Sequence, residues 1–207
     1  MVVVALWSIL GFLLGSVPFA YVLVMVIIGK DVRHFGDGNP GAMNAWRAGG
    51  WPIGVPAIIL DFLKGAIPVG LAHQVYGISG WAIAPIALAP ILGHAYTPFL
   101  EFRGGKSVSV TYGVWAGLLS WPGPLLLAVG QGLFFIFLAS DSWVTVLGAT
   151  AFVGFLFLYG EAAPVLSIAA GNVAVFVQRY WHDLQRGLKP RFNRPFQWLD
   201  TSHWKST

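Results

Sequence analysis

The sequence contains no cysteine, and only 10% of its 207 residues carry a charge. The first absence excludes disulfides, thiolate metal sites and cysteine nucleophiles. The second sets the chain apart from soluble domains, in which about a quarter of residues are charged. With 57% apolar residues and a mean hydropathy of +0.71, a water-soluble fold of this size has no way to hide its apolar surface. The reading is an integral membrane protein: an all-α polytopic helical bundle rather than two domains. No metal-ligand cluster at convincing spacing occurs, so neither a metal nor another cofactor is expected. The net charge of +4 and pI near 9.6 would suggest nucleic acid in a soluble protein. In a membrane chain the placement of the charges matters more, and no nucleic-acid partner is expected.

Charge is missing altogether from residues 1–29. That run exceeds the roughly 20 residues needed to cross the hydrocarbon core. It lacks a basic leader region and stays apolar past Ala20, which favours an anchor helix over a cleaved signal peptide. Further apolar runs cover 51–71, 78–100, 108–121, 125–139, 143–159 and 164–177. Several are short and need tilting, a thinned bilayer or polar ends to span. About seven transmembrane helices are expected, with five or six as alternatives. No internal repeat stands out.

The bases cluster. Lys30, Arg33 and Arg47 fall between the first two runs, and Arg103 and Lys106 between the third and fourth. Arg179, Arg186, Lys189, Arg191, Arg194 and Lys205 follow or end the last run. The segments 73–80, 122–124 and 159–163 contain no lysine or arginine. The positive-inside rule then places the N-terminus outside and the tail in the cytoplasm. Trp7, Trp51, Trp81, Trp121, Trp143 and Trp181 sit near run ends, as interfacial aromatic belts do. The domain reading is one membrane domain over 1–185 and a basic, aromatic cytoplasmic tail over 186–207.

Polar segments interrupt the apolar runs on the basic side. GDGNPGAMNAWRAGG (36–50) gathers Gly36, Gly38 and Gly41 around Asn39 and Pro40. Glycines permit positive φ and let backbone N–H groups converge on an anion. Asn44 adds an amide and Arg47 a planar fork suited to phosphate. An ordinary Gly/Asn/Pro turn has the same composition. FRGGKSVS (102–109) repeats the theme, with Lys106 and Ser107 at the start of a helix, where anions are favoured. It is not a nucleotide-binding P-loop, because Leu100 stands where that pattern needs glycine and a membrane helix replaces the strand.

Within the second run, Asp61 and Lys64 share a helix face and read as a structural ion pair. His94 is either a buried hydrogen-bonded histidine or a base. In QRYWHDLQRG (178–187), His182 and Arg186 share a face, as a basic rim or as a third part of an anion site.

These segments together resemble the bacterial acyl-phosphate:glycerol-3-phosphate acyltransferases of the inner membrane. GSVPFAYVL (15–23) is similar to that family's opening, and GDGNPGAMN (36–44) to its first motif, SGNxGATN. DFLKG (61–65) matches its intramembrane acid and lysine, and GHAYTPFLEFRGGKS (93–107) its second motif, GHxFPxFxxFKGGKG. The resemblance implies transfer of an acyl group from acyl phosphate to glycerol 3-phosphate at the cytoplasmic face of the bilayer. The products are 1-acylglycerol 3-phosphate and phosphate. Lys106, Arg47, His94 and His182 are then the expected catalytic residues. Gly38, Asn39, Gly41, Asn44, Arg103, Gly104, Gly105, Ser107 and Arg186 are the expected binding set, with backbone amides of the four glycines as donors.

Three departures from the first two motifs stand out. Asp37 replaces a serine and sets a negative charge beside the anion site unless it pairs with a base such as Arg33. Met43 replaces a threonine and Ser107 a glycine. The third motif, HRxN, is not intact: one alignment sets Tyr180 at its histidine and Asp183 at its asparagine, with His182 a near substitute. A transporter of an anionic metabolite and a silent lipid-binding homologue are the alternatives.

Overall fold

The computed structural model describes residues 1–191, so Arg194 and Lys205 lie outside the described residues. The uncharged opening run forms two helices, α1 (Val2–Ser16) and α2 (Phe19–Ile28), broken at Val17–Pro18. Proline has no N–H and clashes with the preceding turn, which favours a kink or break there; here the chain breaks, although α4 and α5 pass through Pro56, Pro68 and Pro90. Two distant side chains take up the carbonyls at the break. The Thr97 hydroxyl donates to Ser16 O at 2.5 Å, and Lys64 Nζ donates to Val17 O at 2.8 Å.

The glycine-rich segment is not all loop, because its second half is a helix, α3 (Ala42–Gly49). Sequence reasoning missed it because Gly, Asn and Pro dominate the preceding residues, whereas AMNAWRA contains ordinary helix formers. Gly50, at φ +67°, turns the chain into α4 (Trp51–Gly70). There follow α5 (Ile83–Ala95), α6 (Val108–Leu119), α7 (Pro122–Phe137), α8 (Asp141–Tyr159), α9 (Ala163–Arg179) and the short α10 (Trp181–Leu184).

Among the described residues, four stretches are long and apolar enough to cross a membrane: Val2–Ile28, Trp51–Val75, Gly80–Leu100 and Asp141–Tyr159. The expectation of about seven such spans is corrected accordingly. The other three apolar helices, α6, α7 and α9, have 12, 16 and 17 residues. Each falls short of the roughly 20 residues that span the hydrocarbon core unaided.

Small residues set the helix packing. Cβ atoms added at Gly65 or Gly113 would strike the backbone of the opposite helix, so α4 and α6 lie in near-backbone contact. Gly15 against Pro90, and Gly93 against Phe12, do the same for α1 and α5. Lipid tails are as apolar as leucine, so close van der Waals contact takes over the role that water exclusion plays in soluble bundles. The main core centres on Trp115, edge-on to Phe152 at 4.8 Å between centroids, with Ile86, Leu127, Ile168 and Phe176 around it. A second cluster of Val24, Val32, Ala42, Ala45, Ile53 and Ala57 seats the 30–50 segment against α2 and α4.

Candidate active site

The site is built from two polar segments and the end of α9. In the first, Asp37 lies between Gly36 (φ +57°) and Gly38 (φ +76°). Asp37 Oδ1 accepts from Asn39 N–H at 3.2 Å and from Asn44 Nδ2 at 2.9 Å. Asn44 Nδ2 also donates to Asn39 O at 2.9 Å, and Arg47 donates to Asn44 Oδ1 at 2.5 Å. The aspartate that replaces the family serine is thus the hub of the loop, and Asn44 orients Arg47. Arg33 is not its partner, because Arg33 pairs with Asp31 at 2.6 Å.

In the second segment, Gly104 N–H donates to Ala95 O at 3.1 Å and Gly105 N–H to His94 O at 3.0 Å, capping the end of α5. A side chain at either glycine would collide with those carbonyls or with the His94 ring. Their own carbonyls accept from Arg179, at 2.5 Å for Gly104 and 3.2 Å for Gly105. The amides of Gly38 and Gly41 also donate within their loop, to Phe35 O and Asn39 O. All four glycine amides expected to face an anion therefore have backbone partners.

Ser107 adopts φ +61° just before α6 and donates its hydroxyl to Ile91 O at 3.1 Å. A glycine adopts that backbone without strain, which explains the residue the family motif carries here.

Between the segments lies a cavity of about 420 Å³. The first turns of α3, α6 and α8 all line it, through Ala42 and Met43, Val108 and Ser109, and Asp141. The first four N–H groups of a helix lack intrahelical partners, and the helix dipole favours negative charge there. Ile58, Val108 and Val144 give the wall an apolar side.

Lys106 Nζ reaches across the cavity to Asp37 Oδ2 at 2.8 Å and Asp183 Oδ2 at 2.9 Å, and lies 4.5 Å from the Tyr180 ring centroid. Burial disfavours charge on Lys106 and Asp37 alike. The hydrogen bonds and opposite charges outweigh it, holding Lys106 above the usual lysine range and Asp37 below the usual carboxylate range.

Of the residues expected from sequence, Asn39, Gly41, Asn44, Arg47, His94, Lys106 and Ser107 line the cavity, as does Asp61. Gly38, Arg103, Gly104, Gly105, His182 and Arg186 do not. His182 and Arg103 are exposed. The Arg186 side chain is 72% exposed and lies 3.4 Å from Asp183. The helix face expected to carry both His182 and Arg186 is not formed, because α10 ends at Leu184 and Arg186 follows it in a turn. Asp141, Thr145 and the bracing role of Arg179 were missed. The Ser-Asp-Ser run at 140–142, opening an apolar stretch, is the signal of a helix start that marks the first of them, with Ser140 as the N-cap residue of α8.

At the cavity wall, Asp61 forms a buried pair with Lys64 at 2.7 Å, each side chain 3% exposed. His94 Nδ1 lies 3.7 Å from Asp61 Oδ1. Lys64 therefore ties the helix break at Val17 to the acid beside the cavity. Among the described residues, no group of three or more His, Cys, Asp or Glu is placed to hold a metal ion.

The model of the family described as "Glycerol-3-phosphate acyltransferase" matches residues 5–189. A glycerol-3-phosphate acyltransferase of Aquifex aeolicus is 35% identical over 189 residues, covering 90% of this chain and 96% of that one. The glycerol-3-phosphate acyltransferase 1 of Thermotoga maritima is 43% identical over 118 residues, 56% of this chain and 58% of that one. The crystal structure of PlsY (YgiH), an integral membrane glycerol 3-phosphate acyltransferase in its glycerol 3-phosphate form, superposes with a TM-score of 0.80 at 31% identity. That match covers 94% of this chain and 99% of the other. The lysophosphatidic acid form of PlsY gives 0.76 at 32% identity, with 88% and 90% covered. The family model covers most of the chain and the relatives match it at length, and the chain belongs to the glycerol-3-phosphate acyltransferase family as an integral-membrane, all-α, polytopic member.

Proposed function

We propose that this membrane acyltransferase moves a fatty acyl group from acyl phosphate to a hydroxyl of glycerol 3-phosphate. The observation that carries the reading is the position of Lys106. It stands with Arg47 in one cavity where three helices begin, beside an apolar wall.

The hydroxyl oxygen attacks the acyl carbonyl carbon, and the carbonyl–phosphate C–O bond breaks. Phosphate leaves with the bonding electrons, and the hydroxyl proton passes to a base. Acyl phosphate is already a mixed anhydride, so no covalent enzyme nucleophile is needed. The protein's task is to orient the reactants and stabilise the developing charge.

Lys106 and Arg47 contact phosphate, with Asn39, Ser109 and the first-turn amides of α3, α6 and α8 as further donors, while Asn44, its two amide hydrogens held by Asp37 and Asn39, orients Arg47. Gly38, Gly41, Gly104, Gly105 and Ser107 give the two segments their shape. Arg103, His182 and Arg186 form an exposed basic rim that attracts anions. Ile58, Val108 and Val144 receive the first carbons of the acyl chain. His94, beside Asp61, takes the hydroxyl proton; a phosphate oxygen of the donor is the other base in reach. Arg179 is a positioning residue, since it fixes the two peptide carbonyls that precede Lys106.

The cavity faces the cytoplasm in this reading, at the inner membrane of a bacterial cell. The positive-inside rule supports it. An N-terminus outside and a tail inside require an odd number of crossings, so the shorter apolar helices must add an odd number to the four long ones. Residues 1–185 form the membrane domain in this reading, and the basic tail beyond 191 lies outside the described residues.

The test is turnover. Purified protein given palmitoyl phosphate and glycerol 3-phosphate should form lysophosphatidate and phosphate in equal amounts. Uptake of unchanged glycerol 3-phosphate into proteoliposomes, without product, would mean transport instead.

A further inference from the structure

The cavity holds its phosphate-binding lysine already compensated. An ammonium has three donors, and two carboxylates, Asp37 of the cavity wall and Asp183 of α10, take one each on Lys106. A phosphate dianion brought to Lys106 is repelled while both stay, because like charges at such distances repel in a partly buried site.

The two carboxylates are not equally held. Asp37 Oδ1 is also bound by Asn39 N–H and Asn44 Nδ2, between two positive-φ glycines. Asp183 sits on α10, a helix of four residues. Among the described residues it also pairs with Arg186, whose Nη1 is 3.4 Å away on a mostly exposed side chain. The contact that yields is therefore the one to Asp183.

We propose that Asp183 sets the affinity of the site for the acceptor's phosphate. It occupies Lys106 in the resting site as a stand-in for that phosphate and gives way when the substrate arrives. Its return to Lys106 then helps to expel the phosphate group of the acylated product. This rests on the acyltransferase reading above and adds a competitor built into the same site.

The test compares wild type, Asp183→Asn and Asp183→Glu in the full chain, purified in detergent. Asparagine keeps the size of the side chain and removes its charge; glutamate keeps the charge. The KM for glycerol 3-phosphate and the inhibition constant for inorganic phosphate should both fall about fivefold in Asp183→Asn, the size of one partly exposed ion pair. Asp183→Glu should stay near wild type in both. An unchanged or raised KM and inhibition constant in folded Asp183→Asn would overturn the proposal. Titration calorimetry with inorganic phosphate measures the same difference without turnover, and weaker phosphate binding by Asp183→Asn would overturn it equally. If wild type shows no acyl transfer, the acyltransferase reading fails on its own, while the calorimetric comparison still decides the role of Asp183.

Discussion

Lys106 Nζ lies 2.8 Å from Asp37 Oδ2, a contact between residues 69 positions apart that joins the glycine-rich segment before α3 to the loop before α6. The contact turns two separate polar segments into one site. It also sets how that site responds to pH.

Asp37 is held below the usual carboxylate range, so its stabilisation is present above its unfolded value and lost as pH falls through the lower folded value. Lys106 is held above the usual lysine range, so its stabilisation is present below the unfolded value and lost as pH rises through the higher folded one. Between about pH 5 and pH 9 neither group titrates. The difference in unfolding midpoint between wild type and Asp37→Asn should therefore be constant across that window and shrink below about pH 4. A difference that varied between pH 6 and pH 8 would mean that another titrating group controls the contact.

Arg179 reaches the loop from α9 and holds the Gly104 and Gly105 carbonyls, next to Lys106 in sequence. Arg179→Ala should lower kcat/KM for glycerol 3-phosphate by about tenfold or more, since small misplacements of a binding group are costly. Added guanidinium should restore part of that loss. Arg179→Lys should recover less than the wild-type level, because an ammonium cannot match the planar fork. Full activity in Arg179→Ala would remove Arg179 from the account.

His94→Gln should lower kcat by about 100-fold or more if the imidazole takes the hydroxyl proton. The KM for glycerol 3-phosphate should change far less. A fall in kcat of less than about tenfold would assign the proton to the donor's phosphate oxygen instead.

Lys64→Met removes the partner of a buried carboxylate and the donor to Val17 O. It should cost about 3–5 kcal/mol of stability, because Asp61 is left buried and uncompensated. Thermal unfolding in detergent measures it. The double change Asp61→Asn/Lys64→Met should be more stable than Lys64→Met alone; equal or lower stability would show that the Val17 contact, not the ion pair, accounts for the loss.

Much of this architecture was legible in the chain because apolar runs and the scarcity of charge admit few alternatives. The break at Val17–Pro18 was not read, because the opening run suggested one anchor helix and proline alone does not decide it: Pro56, Pro68 and Pro90 lie inside helices. The helix at Ala42–Gly49 was hidden by its glycine-rich approach. The site was legible as a set of residue types rather than as contacts. That Asp37 pairs with Lys106 rather than with Arg33 depends on packing across the bundle, which four residues of local spacing do not encode. The glycine amides were misjudged for a similar reason. Gly104 and Gly105 follow the end of α5, and its orphan carbonyls take their N–H groups.

The central claim, that Lys106 binds phosphate for acyl transfer, is tested most directly by turnover of wild type and Lys106→Ala side by side. Both would be purified in detergent and given glycerol 3-phosphate with palmitoyl phosphate, and in parallel with palmitoyl coenzyme A. The account predicts lysophosphatidate from acyl phosphate in wild type, little or none from the thioester, and a loss of at least ~100-fold in the folded lysine variant. Wild-type rates in Lys106→Ala, or product from the thioester alone, would contradict it.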